Sequence, residues 1–105
     1  MMKNAKVLFI GILFLLQGAN VALACGDTAA GEAKAANCAG CHGAKGEGVG
    51  DNPPLAGLDE AYQVEQLKAY KSGERENAMM QMFASQLSEE DMADLAAYYA
   101  SLACK

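Results

Sequence analysis

Tryptophan is absent from this 105-residue chain, histidine occurs once, and proline occurs twice. Basic residues are also scarce: eight Lys and Arg stand against thirteen Asp and Glu, a formal net charge of -5. That balance leaves no basic stripe to displace counterions from phosphates, which excludes nucleic acid as a partner. A lone histidine argues against a zinc site, which would need a second close Cys or His pair. No stretch sustains an apolar–polar alternation of period two, so an all-α chain is expected. Against these absences stand a hydrophobic content of 52%, too high for a disordered acidic tail, and four Cys in a chain sized for one small domain.

The first segment reads as a secretory signal rather than as part of the fold. Lys3 and Lys6 precede an uncharged apolar run from Val7 to Leu16, and Ala22-Leu23-Ala24 offers a small-x-small cleavage site. The preferred division is a signal peptide at 1–24 and a single domain at 25–105. A retained anchor competes, because Val7 to Ala24 reaches the short end of spanning length, although Gln17 and Asn20 interrupt it. Lipidation of Cys25 is a third reading, with Ala22 where such signals have Leu. All three place the domain outside the cytoplasm, where disulfides persist. Removing Lys3 and Lys6 leaves six basic residues against thirteen acids, a charge of -7. A chain of this size rarely gains more than about 3–5 kcal/mol from an apolar core alone, so a staple is expected.

Asp27 predicts a capped helix over Thr28 to Asn37, with Glu32 near its positive end and Gly31 marking a close backbone contact. From Gly43 to Gly57 the chain holds five glycines and both prolines, a loop composition. Asp59 opens a second helix, Glu60 to Ser72, with Val64, Leu67 and Tyr70 or Lys71 at helical spacing, and Gly73 ends it. Glu74 to Leu87 reads as a loop with a helical turn. Ser88-Glu89-Glu90-Asp91 resembles a capping box, opening a last helix to about Ala103. On that helix Met92, Leu95, Tyr99 and Leu102 form one apolar stripe.

Cys38-Ala39-Gly40-Cys41-His42 is a Cys-x-x-Cys-His string, the attachment pattern of c-type haem. One helical turn sets two thiols where they can add to the two vinyl groups of a porphyrin, and His42 follows beneath the iron. One covalently bound haem would also be the missing staple. The rival readings are weaker. A thioredoxin-like pair belongs near a βαβ pattern, which is absent, and a plain Cys38–Cys41 disulfide leaves His42 without a purpose.

With these residues in place, the chain resembles the class I c-type cytochromes, specifically the small monohaem bacterial periplasmic type. It looks most like one domain of the tandem dihaem periplasmic cytochromes. The resemblance rests on Gly26-Asp27 and Gly31 before Cys38-x-x-Cys41-His42-Gly43, on Pro53-Pro54-Leu55-Ala56-Gly57, on Asn77-Ala78-Met79-Met80, and on Asp94-Leu95-Ala96-Ala97-Tyr98-Tyr99. It implies a cytochrome c fold, with N- and C-terminal helices packed across the haem and Gly31 against the Leu95 to Tyr99 face. It also implies His42 and Met80 as axial iron ligands, Met80 lying eight residues before Ser88. By the same resemblance the Pro53 carbonyl accepts from His42 and Leu55 packs on the ring, although two prolines that merely stiffen a loop fit the sequence equally. Met79 and Met82 remain the alternatives to Met80, while Met92 belongs to the apolar stripe and is expected in the core. Cys25 and Cys104 flank the first and last helices, and a disulfide joining them is preferred over a lipidated Cys25 with a free Cys104 or an intermolecular bridge.

The function expected is one-electron carriage in the periplasm, without substrate chemistry and so not enzymatic. Redox proteins are the implied partners: a quinol–cytochrome c reductase, a terminal oxidase or a periplasmic oxidoreductase. A monomer without stable membrane insertion is expected. The negative charge suits either basic docking sites on a partner or contact through an uncharged haem rim. Two other readings stand beside it: a dedicated haem subunit of a larger oxidoreductase, and an open-site peroxide- or gas-binding protein. The second needs an easily displaced Met ligand and acid–base groups that the distal stretch lacks.

Overall fold

The structure, a computed structural model, describes residues 26–102. The expected leader at 1–24, Cys25 and Cys104 lie outside the described residues, and so does the disulfide expected between those cysteines. Five helices follow in order: α1 Thr28–Lys34, α2 Ala36–His42, α3 Glu60–Ser72, α4 Ala78–Ala84 and α5 Glu89–Ser101. Among the described residues there is no strand, only one isolated bridge between Val49 and Asn52.

Local chemistry sets most helix ends. The Asp27 carboxylate accepts from the Ala29 and Ala30 amides at 3.0 and 3.2 Å, satisfying two donors that α1 leaves free. Asp59 does the same for Tyr62, and Gly73 closes α3 in the left-handed conformation (φ 88°) that a side chain would resist. At the start of α5 the expected box is complete: the Asp91 amide donates to Ser88 Oγ, and the Ser88 amide donates to the Asp91 carboxylate. The C-terminal end falls at Ser101, two residues short of the expected limit.

Three expectations need correction. The first helix does not end at Asn37. It pinches at Ala35, where the Cys38 amide bonds back three residues at 2.8 Å, and resumes as α2 through His42. Ala35 is buried in a cluster with Leu95 and Tyr99, so tertiary packing overrides the residue's strong preference for continuous helix. Glu32 is the fifth residue of α1, beyond the first turn where a helix N-terminus attracts acids. In α3 the buried residue is Gln63, whose amide donates to the Leu58 carbonyl at 2.8 Å, while Val64, Leu67 and Tyr70 are only half-buried.

The core forms where the first and last helices cross. A methyl added at Gly31 would lie 2.0 Å from the Asp94 carbonyl and 2.8 Å from Tyr98 Cβ; one added at Gly26 would lie 2.2 Å from the Ala93 carbonyl. Gly31 meets α5 at Tyr98, within the Leu95 to Tyr99 face expected for it, and most closely at the backbone of Asp94, one residue before that face. Met92, Leu95 and Tyr99 of the α5 stripe are buried, and Leu102 packs on the same cluster. Asp94 is buried there too. Its carboxylate accepts from the Asp27 amide at 2.8 Å and pairs with Lys34 at 3.0 Å. These contacts hold the Asp94 carboxyl below the usual range, the Asp27 N–H contributing most and Lys34 next. α3 packs on the other side of α5, and α4 packs on α3.

Candidate functional site

The site is built outward from α2. Cys38 and Cys41 stand three residues apart, so one helical turn presents both thiols to the same side. Both are free cysteines; Cys38 is half-buried against the Ala35–Leu95–Tyr99 cluster and Cys41 is exposed. Burial pushes the Cys38 thiol up, a hydrogen bond with Tyr99 opposing it, so the group is held protonated. The Tyr99 hydroxyl is raised well above its ordinary range, chiefly by burial and then by Cys38.

His42 ends α2 and is buried at 8% exposure. Its Nδ1 lies 2.8 Å from the Pro53 carbonyl. A carbonyl only accepts, so Nδ1 is the donor here and Nε2 is the nitrogen left to face a metal. The loop that delivers Pro53 is fastened at several points. The Gly48 amide donates to the His42 carbonyl at 2.7 Å, and the Leu55 and Ala56 amides converge on the Gly46 carbonyl. Gly46 lies against the Tyr99 ring, where a Cβ would come within 2.8 Å, and the Gly57 amide donates to the Tyr99 carbonyl. Leu55 packs half-buried against the same cluster as Cys38.

Cys38, Cys41, His42, Pro53 and Leu55 are therefore brought to one neighbourhood. Met80 is not part of that bonded group. It sits in the first turn of α4, its amide held by the Asn77 side chain at 2.9 Å. Among the three methionines of this helix Met80 is half-buried, while Met79 and Met82 are 56% and 51% exposed. Met92 is 1% exposed, a core residue as the stripe implied.

The donor set fits a covalently held haem: two free thiols one turn apart, followed at once by an imidazole whose proton is fixed on the far nitrogen. It does not fit zinc. Among the described residues no group of three His, Cys, Asp or Glu side chains could hold a metal ion. Asn52, which donates to the Cys41 carbonyl, and Asp94, which ties the helix crossing, were not singled out by sequence reasoning. Asp94 left one signal: it follows Asp91 by one turn on a helix that a glycine-bearing, Lys34-ending helix must approach.

Comparison with known proteins shows the family. The family model described as Cytochrome c matches residues 28–103. The chain is 44% identical over 95 residues to cytochrome c4 of Pseudomonas aeruginosa, covering 90% of this chain and 47% of that protein. It is 45% identical over 80 residues to cytochrome c-554(548) of Halomonas halodenitrificans, covering 72% of this chain and 96% of that one. A solved cytochrome c4 structure from Acidithiobacillus ferrooxidans superposes with a TM-score of 0.71 at 33% identity, covering 74% of this chain and 51% of the other. The chain spans about half the length of the cytochrome c4 relatives it matches. Its fold is the all-α cytochrome c fold and its cofactor is covalently bound haem c. On the family match and on the helical frame that carries Cys38, Cys41 and His42, this chain belongs to the cytochrome c family.

Proposed function

We propose that the protein is an exported, monohaem, one-electron carrier, with residues 1–24 as its signal peptide and residues 25–105 as its domain. The observation that carries this reading is the 2.8 Å contact between His42 Nδ1 and the Pro53 carbonyl, directly after the Cys38–Cys41 turn. Cys38 and Cys41 would hold the ring through thioethers, His42 Nε2 would ligate the iron, and Met80 would supply the second protein ligand. The half-burial of Met80 beside two exposed neighbours supports that choice. When bound, the haem supplies one-electron exchange between Fe(III) and Fe(II), with the electron taken from a reduced partner protein and given to an oxidised one.

The residues of the chain do the rest. The Pro53 carbonyl fixes the imidazole plane and raises its basicity, so the ligand need not reorient between oxidation states. Leu55 and the Tyr99 cluster keep water from the Cys38 side. A thioether together with an imidazole on the iron would favour Fe(II) and deny it to small ligands, which suits a carrier rather than an enzyme. The Halomonas halodenitrificans relative, of which this chain covers 96%, supports a stand-alone carrier over a subunit of a larger oxidoreductase. A periplasmic location and redox-protein partners, a quinol–cytochrome c reductase, a terminal oxidase or a periplasmic oxidoreductase, follow from the same reading.

The test is spectroscopic. Intact mass of the exported protein is expected to show the chain from Cys25 plus one haem. The oxidised protein is expected to be low-spin with the weak far-red sulfur-to-iron charge-transfer band. Met80→Ala is expected to abolish that band and admit cyanide, whereas Met79→Ala and Met82→Ala keep it. Loss of the band in Met82→Ala instead would move the ligand two residues along α4.

A further inference from the structure

Two hydrogen bonds join the same two dipeptides. His42 Nδ1 donates to the Pro53 carbonyl at 2.8 Å, and Asn52 Nδ2 donates to the Cys41 carbonyl at 2.9 Å. Cys41 precedes His42 as Asn52 precedes Pro53, so the two bonds close a single ring of atoms around the imidazole's rear face. Because a backbone carbonyl can only accept, the side-chain nitrogen of Asn52, not its oxygen, faces Cys41.

Asn52 is itself held at both backbone atoms. Its amide donates to the Val49 carbonyl at 2.9 Å, and the Val49 amide donates to the Asn52 carbonyl at 3.1 Å. Gly48 tightens the same turn with a positive φ of 91°, and a Cβ there would stand 3.0 Å from the Pro54 nitrogen. The turn is therefore stiff in itself, but its side-chain connection to α2 besides His42 is the Asn52 amide. Pro53 contributes no N–H that could take over this task.

We propose that Asn52 is a positioning residue for His42: its amide clamps the loop to Cys41 and thereby keeps the Pro53 carbonyl in register with Nδ1. The inference rests on the reading of His42 as an iron ligand. Its functional consequence has a definite sign. A well-aligned Nδ1–H···O bond makes the imidazole a more electron-rich donor, which favours Fe(III) and lowers the potential. Releasing the clamp lengthens that bond, weakens the donor and raises the potential.

Asn52→Ala in the holoprotein tests this by potentiometric titration, with exchange of the His42 Nδ1 proton followed by NMR in the reduced state. The Fe(II)/Fe(III) ratio at a fixed solution potential is expected to rise about threefold, within the worth of one hydrogen bond. At 59 mV per tenfold that is an upward shift of about 28 mV. The Nδ1 proton is expected to exchange faster. Ser88→Ala, which loses a helix cap elsewhere, controls for mere loss of stability and is expected to leave both readings at their wild-type values. An unmoved potential with unchanged exchange in Asn52→Ala overturns the proposal, and so does an equal shift in Ser88→Ala. Where Asn52→Ala does not accumulate with haem attached, Asn52→Ser, too short to reach Cys41 but still polar, is read by the same two measurements. A wild-type oxidised holoprotein whose His42 ring protons show no paramagnetic shift defeats the His42 reading itself; shifted His42 ring protons with an unmoved Asn52→Ala potential defeat only the clamp.

Discussion

The crossing of α1 with α5 and the short helix α4 are built on opposite plans. α5 buries six residues, from Met92 to Tyr99, and meets α1 through glycine-to-backbone contacts and an ion pair around Asp94. α4 buries one, Ala84, carries no charged side chain, and is anchored by the Asn77 cap and by packing on α3. The first region carries its own polypeptide contacts. The other is the region from which, on the proposed reading, Met80 reaches the iron, and the bound cofactor completes its anchoring. The difference separates what keeps the domain folded from what keeps it redox-competent, and each can be disturbed alone.

The widest separation is expected between two methionines. Met92→Ala empties a fully buried position and is expected to cost about 2–5 kcal/mol in urea denaturation while leaving the visible spectrum unchanged. Met82→Ala, at an exposed site, is expected to fall within about 0.5 kcal/mol of wild type. Equal losses from the two would erase the contrast between the regions.

The crossing should also carry a pH signature. The Asp94 carboxyl is depressed in the folded state by the Asp27 amide and Lys34, so its contribution is present above the unfolded value and lost as pH falls through the folded one. Asp94→Asn is expected to be less stable than wild type at neutral pH, with the two denaturation curves converging below about pH 4. Parallel curves down to the lowest pH would assign the stabilisation to groups other than Asp94.

A more modest effect belongs to the cap of α4. Asn77→Ala removes the acceptor of the Met80 amide and is expected to cost about 1 kcal/mol. Hydrogen exchange should show that cost as faster opening of α4 amides, with α5 amides unaffected. Opening that spreads to α5 would mean the two regions are one cooperative unit.

Much of this contrast was legible in the sequence, and the exceptions share a cause. α3 and the start of α5 could be read because their caps are local: Asp59, Gly73 and the Ser88–Asp91 box act within a few residues. Cys38, Cys41 and His42 were legible because the spacing is the chemistry. Gly31 announced a close approach without naming Asp94 as the backbone it meets. The pinch at Ala35 was hidden because alanine favours unbroken helix, and its packing partners Leu95 and Tyr99 lie far along the chain.

 The helical turn of α4 was expected, but not its full length, because its polar and apolar residues follow no clean helical stripe. Asn52 was silent for the same reason as Asp94: its partner lies on another element, and a surface asparagine beside a proline reads as ordinary turn chemistry.

The bond between the Asp27 amide and the Asp94 carboxylate spans 67 residues, nearly the full described length. The contact that closes the domain is thus among the last that a growing chain can make. Until α5 emerges, the thiols of Cys38 and Cys41 sit on a short helix with no Leu95 or Tyr99 to pack against, open to whatever reaches them first. Closure between such distant partners is slower than local helix formation, since the loop entropy must be overcome before the contact is gained. The order of events is therefore written into the connectivity: the attachment turn is exposed early, and the helix that shelters it arrives at the end.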